Sequence, residues 1–322
     1  MKKKILAGLL LMVFTCGIAN AALIGRYTFD DPANPGADSS GNGNDANGTN
    51  NVTYVTNGVS GGAAFFTQGQ GSYLSWTGAT NPIVKVLAGD FSFSLWVNTT
   101  ETFGADTDQG YQGAGIVYAD VPGGPNDTIP ISMNGTKAGF DTGTPSDLTI
   151  HTFSDINTSN YVLLVVTREF STGLDSIYWD GLLEAQTNHS AGADLSGRGQ
   201  LVLGGNLTDG RYYYGIIDDF QVYDEVLSPI QVAYLYNHVG QTAPAQVALI
   251  SPEITGTNLS FSFQSASNVN YIVQSTTNLA APSWTNYSTL PGDGTVKQIF
   301  VPGTNTQQFF RVDATVPLPP SG

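Results

Sequence analysis

GIIDDFQVYDEVLSPIQVAYLYNHVG, residues Gly215–Gly240, is the stretch that decides the fold. Ile216, Phe220 and Val222 alternate with other residues, the period of a half-buried strand. That period places Asp218 on the side of the three apolar residues. A carboxylate there costs several kcal/mol unless it is paired, hydrogen-bonded or bound to a metal. Ser228-Pro229 then reads as N-cap and N1 of a helix, Ile230, Ala233 and Tyr234 form its stripe, and Gly240 stops it. A strand with an inward acid thus runs into one short closing helix. The partner of Asp218 becomes the question put to the rest of the chain.

Outward from this stretch the chain reads as strands. Leu23–Phe29 alternates, and Asp30–Asn51 is almost entirely turn residues. Ala63–Phe66 and Ser72–Trp76 are short strands. In DFSFSLWVN, Asp90–Asn98, the residues Phe91, Phe93, Leu95 and Val97 alternate against Ser92, Ser94 and Trp96. Glu101–Pro130 reads as irregular. Tyr161–Thr167 is a continuous apolar, β-branched run, as in a strand covered on both faces. Ser176–Gln186 is a hairpin around Asp180-Gly181. Apart from Pro229–Val239 there is no convincing helix. The class is all-β, a sandwich or jelly roll. After the linker QTAPAQ, Gln241–Gln246, shorter strands over residues 247–315 predict a small immunoglobulin-like β-sandwich, followed by a Pro-rich tail over 316–322.

The first residues are processing signals. Lys2-Lys3-Lys4, the apolar run Ile5–Ile18 and Ala19-Asn20-Ala21 predict a signal peptide over 1–21, cleaved before Ala22. The single cysteine, Cys16, falls inside it, so the expected mature chain has neither disulfide nor thiolate site. The full chain carries 11 basic and 26 acidic side chains; removal of the three lysines leaves 8 against 26, a formal charge of −18. Nucleic acid is disfavoured as a partner, and no second apolar run is long enough to span a membrane. The expected place is outside the cytoplasm, secreted or at the cell surface.

Taken together, IGRYTFDD, DSSGNGNDANG (Asp38–Gly48), GVSGGAAFF (Gly58–Phe66), DFSFSLWVNTT, YVLLVVTRE, SIYWDGLLEA, LVLGGN and GIIDDFQVYDEVLSPIQVAYLY resemble the laminin-G-like jelly rolls of the concanavalin A-like lectin/glucanase superfamily, as found in secreted bacterial proteins. The resemblance covers Ala22 to Gly240. YIVQSTTNLAAPSWTNYSTL and TQQFFRV resemble a small β module at the ends of large secreted bacterial proteins. The resemblance implies two facing antiparallel sheets, one concave and often the ligand face. It also implies a structural Ca²⁺ with ligands from Asp38, Asn42, Asn44 and Asp218, an arrangement suited to an ion that takes six to eight oxygens. The alternative is that Asp218 accepts backbone N–H groups of the Asp38–Asn47 loop with no metal.

Catalytic patterns are weak. Glycosidases need two positioned carboxylates, and glucanase members of the superfamily carry them as E-x-D-x-x-E. None of Glu101, Glu169, Glu184, Glu225 or Glu253 is followed by Asp at that spacing. Gly58-Val59-Ser60-Gly61-Gly62 fits G-x-S-x-G, but the strand-like Ala63–Phe66 follows where a nucleophile elbow needs a helix. His151, His189 and His238 show no ligand spacing. Asp106-Thr107-Asp108 begins like a Ca²⁺ loop, yet the twelfth position is Val117. Sugar binding uses aromatic platforms with polar rims; the candidates are Trp96, Trp179, Tyr212, Tyr213 and Tyr214. The sequence therefore predicts a non-catalytic binding protein for carbohydrate or another extracellular polymer. A structural or adhesive surface protein and a diverged polysaccharide-degrading enzyme are the alternatives.

Overall fold

The computed structural model describes residues 23–120, 128–244, 249–255, 258–265, 270–278, 283–293, 295–302 and 308–315. The expected signal peptide and the tail lie outside them. The chain divides into two compact units that meet in sequence at Ala243 and Pro244.

Two antiparallel sheets build the larger unit. One runs β13 (Leu182–Asn188), β12 (Leu174–Trp179), β11 (Val162–Glu169), β6 (Phe91–Asn98), β17 (Gly215–Tyr223), β4 (Ala63–Phe66) and β3 (Thr53–Val55), with β1 (Leu23–Tyr27) also paired to β17. The other runs β10 (Ile150–His151), β9 (Lys137–Asp141), β8 (Thr128–Asn134), β7 (Ala114–Ala119), β14 (Gln200–Leu203), β5 (Tyr73–Thr77) and β2 (Gly48–Asn50). Two short strands, β15 (Gly205–Asn206) and β16 (Arg211–Tyr212), flank β7. The strand β7 lies inside the stretch that the sequence reads as irregular. Its run AGIVYA is fully buried, with Ala114, Ile116, Val117 and Ala119 in the core.

Alternation assigns the faces. Phe91, Phe93, Leu95 and Val97 of β6, with Leu164 and Val166 of β11, point into the core between the sheets. At its centre Tyr27, Phe93 and Phe220 from the first sheet meet Trp76 from the second, with ring centroids 4.6–6.0 Å apart. The opposite face of the first sheet is also covered. Trp96, Leu163, Val165, Tyr178 and Tyr223 lie under Leu227, Val232 and Leu235, which explains the uninterrupted apolar run of β11. The covering element is the helix α2 (Pro229–Asn237), opened by a reciprocal Ser228–Gln231 capping box. One further turn, α1 (Pro82–Lys85), was not expected from the sequence. Asn81 caps it, accepting the Ile83 N–H at 3.0 Å, and it plugs the core with Ile83 and Val84.

The deciding stretch departs from strict alternation. The pairing of β17 with β6 shifts between Asp218 and Gln221, and Asp219 takes a φ of 45°. This bulge re-phases the strand. Ile217, not Ile216, enters the core with Phe220 and Val222. Asp218 sits opposite Trp96, on the helix-covered face and not on the face of the core residues.

The smaller unit stacks two three-stranded sheets, β18 (Leu249–Thr255), β19 (Asn258–Gln264) and β22 (Val296–Val301), and β21 (Thr285–Pro291), β20 (Asn270–Thr276) and β23 (Phe309–Thr315). Its core holds Phe261, Phe263, Tyr271, Val273, Ile299 and Val301.

Candidate functional site

The four residues expected to hold Ca²⁺ divide between the N-terminal loop and the strand β17. Asp38 anchors the N-terminal loop through backbone donors: Arg26 N at 3.0 Å and Ser40 N at 2.9 Å to Oδ1, and Asn44 N at 2.9 Å to Oδ2. These bonds hold its carboxyl below the usual range against its partial burial. The amides of Asn42 and Asn44 donate to the carbonyls of Leu23 and Ile24. The Asn44 carbonyl accepts both the Tyr27 hydroxyl at 2.5 Å and the Trp76 indole at 3.1 Å, so the loop is pinned to the two largest aromatics of the core. Asp218 lies on β17, against a different loop. It is fully buried and accepts Ser60 N at 3.1 Å and Asp219 N at 2.7 Å. Desolvation pushes its carboxyl up to about 7. Its partner is therefore the turn Gly58–Gly62, not the Asp38–Asn47 loop. Among the described residues no three His, Cys, Asp or Glu side chains converge on a common point. An ion at the N-terminal loop would rest mostly on neutral oxygens.

Nothing in the sequence pattern marks Arg26. Its Nε lies 2.7 Å from Asp219 Oδ1 and its Nη2 donates to the Gly240 carbonyl at 2.7 Å. The network continues from Asp219 Oδ2 to Gln221 Nε2 at 2.9 Å, from Gln221 to the Tyr223 hydroxyl, and from there to Ala243 N at 2.9 Å. It ties the N-terminal strand to the chain after the helix.

The expected aromatic ligands also separate. Trp96 lies off the core face, as the alternation predicts, but the helix covers it and Tyr236 stacks on it with centroids 6.0 Å apart. Trp179 is half-buried at the sandwich edge, where its indole donates to the Asp155 carbonyl at 3.1 Å. Tyr213 is in the core. Tyr214 is 39% exposed and meets Phe65 edge-on at 5.3 Å. Tyr212 lies half-buried on β16, where a Cβ at Gly71 or Gly205 would strike its ring.

The outer face of the second sheet brings together aromatics that the sequence did not single out. Tyr118, Ile129 and Val202 form a small cluster there, with Tyr73, Tyr111 and Leu207 packed half-buried against it. The Tyr118 hydroxyl donates to the Gly110 carbonyl at 3.0 Å. Arg211 donates to the Tyr111 carbonyl and pairs with Asp209 at 2.9 Å, and Gln200 Nε2 donates to Asp120 O at 2.6 Å. Half-exposed tyrosines rimmed by guanidinium and amide groups can stack on an apolar ring face and bond its hydroxyls. Their sequence signal was faint: single tyrosines in separate loops and strands, brought together only by β5, β7 and β14.

The profile of the concanavalin A-like lectin/glucanases superfamily matches residues 68–233. The chain belongs to this superfamily. Among solved structures the superfamily fold is shared with domain 4 of AbnA, a GH43 extracellular arabinanase from Geobacillus stearothermophilus, in complex with arabinotriose. The identity is 23%, covering 67% of this chain and 99% of that one, at a TM-score of 0.50. The binding domain of Paraclostridial Mosquitocidal Protein 1 shares the fold at 12% identity, covering 85% of this chain and 69% of that one, at a TM-score of 0.54. No curated protein matches the sequence.

Within this concanavalin A-like sandwich the remaining reactive-looking groups serve the fold. Gly58–Gly62 is a tight turn, closed by Gly58 N to Gly61 O at 3.1 Å, and β4 follows it directly. Ser60 offers its N–H to Asp218, and its hydroxyl is not followed by the helix of a nucleophile elbow. Asp106 accepts Thr136 N at 2.7 Å and Asp108 accepts Ala105 N at 2.8 Å, so this acidic pair braces loops. His151 and His238 lie 2.9 and 3.0 Å from the carbonyls of Asp108 and Tyr234. At the sandwich rim Thr142 donates to Asp175 Oδ2 at 3.0 Å and lies 3.1 Å from His189 Nδ1. The Thr142 hydroxyl thus bridges Asp175 and His189. No helix among the described residues is long and apolar enough to cross a membrane.

Proposed function

We propose that this is a carbohydrate-binding protein that works outside the cytoplasm and has no catalytic activity of its own. The observation that carries the reading is the pair of partly exposed tyrosines, Tyr73 and Tyr111, packed on the buried Tyr118 at the outer face of the second sheet. The helix α2 covers the corresponding face of the first sheet. The ligand face therefore falls to the sheet that keeps partly exposed aromatics, with Arg211 and Gln200 at its rim. The likeness in fold to a domain crystallised with arabinotriose is in keeping with this. The acids with raised pKa values are consistent with a binding role, because each accepts hydrogen bonds from groups of the fold itself: Asp218 from Ser60 and Asp219, Asp141 from Gly143 and Thr149, Asp175 from Thr142, Asp180 from Leu163 and Glu225 from Gln231. The predicted signal peptide supports the location, and Ca²⁺ at the Asp38–Asn44 loop is proposed as a weak structural ion.

The test is affinity electrophoresis of the full chain in gels containing arabinan, xylan or β-glucan, with a reducing-sugar assay on the same polymers. Retention by at least one polymer without sugar release is expected. Tyr111→Ala or Tyr73→Ala should weaken it by about tenfold, the loss of one well-placed aromatic anchor. Retention unaffected by both substitutions would move the site elsewhere, and sugar release would make the protein an enzyme.

A further inference from the structure

The C-terminal sandwich carries an ordered row of planar side chains. Gln274 of β20 pairs in register with Asn286 of β21 on one side and with Arg311 of β23 on the other. The row therefore crosses the whole sheet, strand to strand, at about 4.8 Å per step. The side chains are bonded in sequence: Arg311 Nε donates to Gln274 Oε1 at 2.8 Å, and Gln274 Nε2 donates to Asn286 Oδ1 at 2.9 Å. Beside the row, Trp284 lies under the Arg311 guanidinium, whose central carbon is 4.6 Å from the ring centroid. Arg311 and Asn286 are exposed, while Gln274 and Trp284 are part-exposed.

Cross-strand pairing alone accounts for part of this, since such pairs contribute roughly 0.2–1 kcal/mol each. It does not account for a part-exposed indole held in place by an arginine at the edge of an amide ladder. Three features define what the row can hold. Its side chains are flat and fixed against one another, so little rotamer entropy remains to be lost on binding. They end in amide groups that donate and accept, and the Asn286 Nδ2–H groups have no partner among the described residues. The one charge in the row, on Arg311, lies against the indole face, which attracts it. A ligand complementary to this surface is flat, rich in hydroxyls, apolar on its ring faces and uncharged.

We propose that Trp284, Arg311, Gln274 and Asn286 form a binding strip for a neutral polysaccharide chain, separate from the tyrosine face of the jelly roll. The indole would stack on a sugar ring and the amide ladder would bond the hydroxyls of the next. The two sites lie in different units, so each can fail or stand without the other.

The test uses the ¹⁵N-labelled full chain and reads the indole Nε1–H signals of its tryptophans, with Trp284→Phe identifying the Trp284 signal. Arabino-, xylo- and cello-hexaose are the probes. The Trp284 signal should shift on titration with at least one of them. Asn286→Ala and Gln274→Ala, both at surface positions, should raise the apparent Kd by about fivefold each, the loss of one hydrogen bond. A Trp284 signal that stays fixed under all three hexaoses overturns the strip, whatever the jelly roll does. Retention in polysaccharide gels with that signal fixed leaves the jelly-roll reading intact. A moving signal in a Tyr73→Ala/Tyr111→Ala chain supports the strip on its own.

Discussion

Arg26 and Asp219 meet at 2.7 Å across the β1–β17 pair, and the bulge in β17 is what turns Asp219 to that meeting. Asp219 is nearly buried and Arg26 is partly exposed. Removing either partner leaves a charge with little water around it. Arg26→Ala and Asp219→Asn should each cost about 2–3 kcal/mol in urea unfolding, less than the roughly 3–5 kcal/mol of a fully buried pair because Arg26 keeps some solvent. Asp219→Val should cost more than Asp219→Asn, since a β-branched residue is disfavoured at a φ of 45° while Asn tolerates it. Equal losses for the two Asp219 variants would show that the bulge stores no backbone preference.

Asp175 gives the protein a pH signature. It is buried, faces Thr142, and is pushed from 3.8 up to about 7, chiefly by desolvation. Arg168 across the strand pair lowers it and Asp141 raises it. The folded state therefore binds a proton that the unfolded chain releases near pH 4. This contribution to stability is fully present below about pH 4 and is lost as pH rises to about 7. His189 works the other way, because burial lowers its pKa and charging it on acidification costs stability below its ordinary 6.5. Asp175→Asn should remove the Asp175 component. The difference in unfolding free energy between wild type and variant should change by a few kcal/mol from pH 4.5 to 7.5, in favour of the variant at the higher pH. A pH-independent difference would mean that Asp175 ionises normally.

The sequence reads correctly wherever one period governs a whole element. The strand Phe91–Asn98 shows its two faces, Tyr161–Thr167 shows its double cover, and Asp180-Gly181 shows its turn, where both residues take positive φ at 48° and 85°. It reads incorrectly at Asp218 because a bulge of one residue reverses every later side chain, and nothing local announces the bulge. The cover over Trp96 is hidden for a related reason. Trp96 is on the expected side of its strand, but what covers that side is a helix more than a hundred residues later. Conversely, Tyr73 and Tyr111 have no common pattern in sequence and are brought to one buried cluster only by strand order.

The N-terminal loop supports a defined Ca²⁺ experiment. A site made of Asp38 and the amide and carbonyl oxygens of its loop, with few carboxylates, belongs with weak extracellular sites, with Kd about 10⁻⁴–10⁻³ M. Ten-millimolar Ca²⁺ should then raise stability by about 1–3 kcal/mol, read as a Tm increase over EDTA at matched ionic strength. Asp38→Asn should abolish the increase and also lower Tm in EDTA, because three backbone N–H groups lose a charged acceptor. The absence of a Ca²⁺ shift in the wild type, with the EDTA loss retained in the variant, would leave Asp38 as a purely backbone-capping residue.

The helix α2 makes the last prediction because its apolar side packs on the outer face of the first sheet. Ser228 exchanges hydrogen bonds with Gln231, accepting its N–H at 3.4 Å while Gln231 Oε1 accepts Ser228 N at 2.8 Å. Ser228→Ala should cost about 1 kcal/mol, the usual loss of an N-cap. Leu235→Ala should cost about 2–4 kcal/mol by opening a cavity over the sheet. The two differ in what they do to Trp96. Loss of the cap frays the first turn and leaves the Tyr236 ring stacked on Trp96, so emission stays blue. The cavity at Leu235 loosens the turn that carries Tyr236, so Trp96 emission should shift to the red and quench more readily with acrylamide. Red-shifted emission in both variants would show that the helix detaches as a unit, with the cap and the apolar face acting as one cooperative lock.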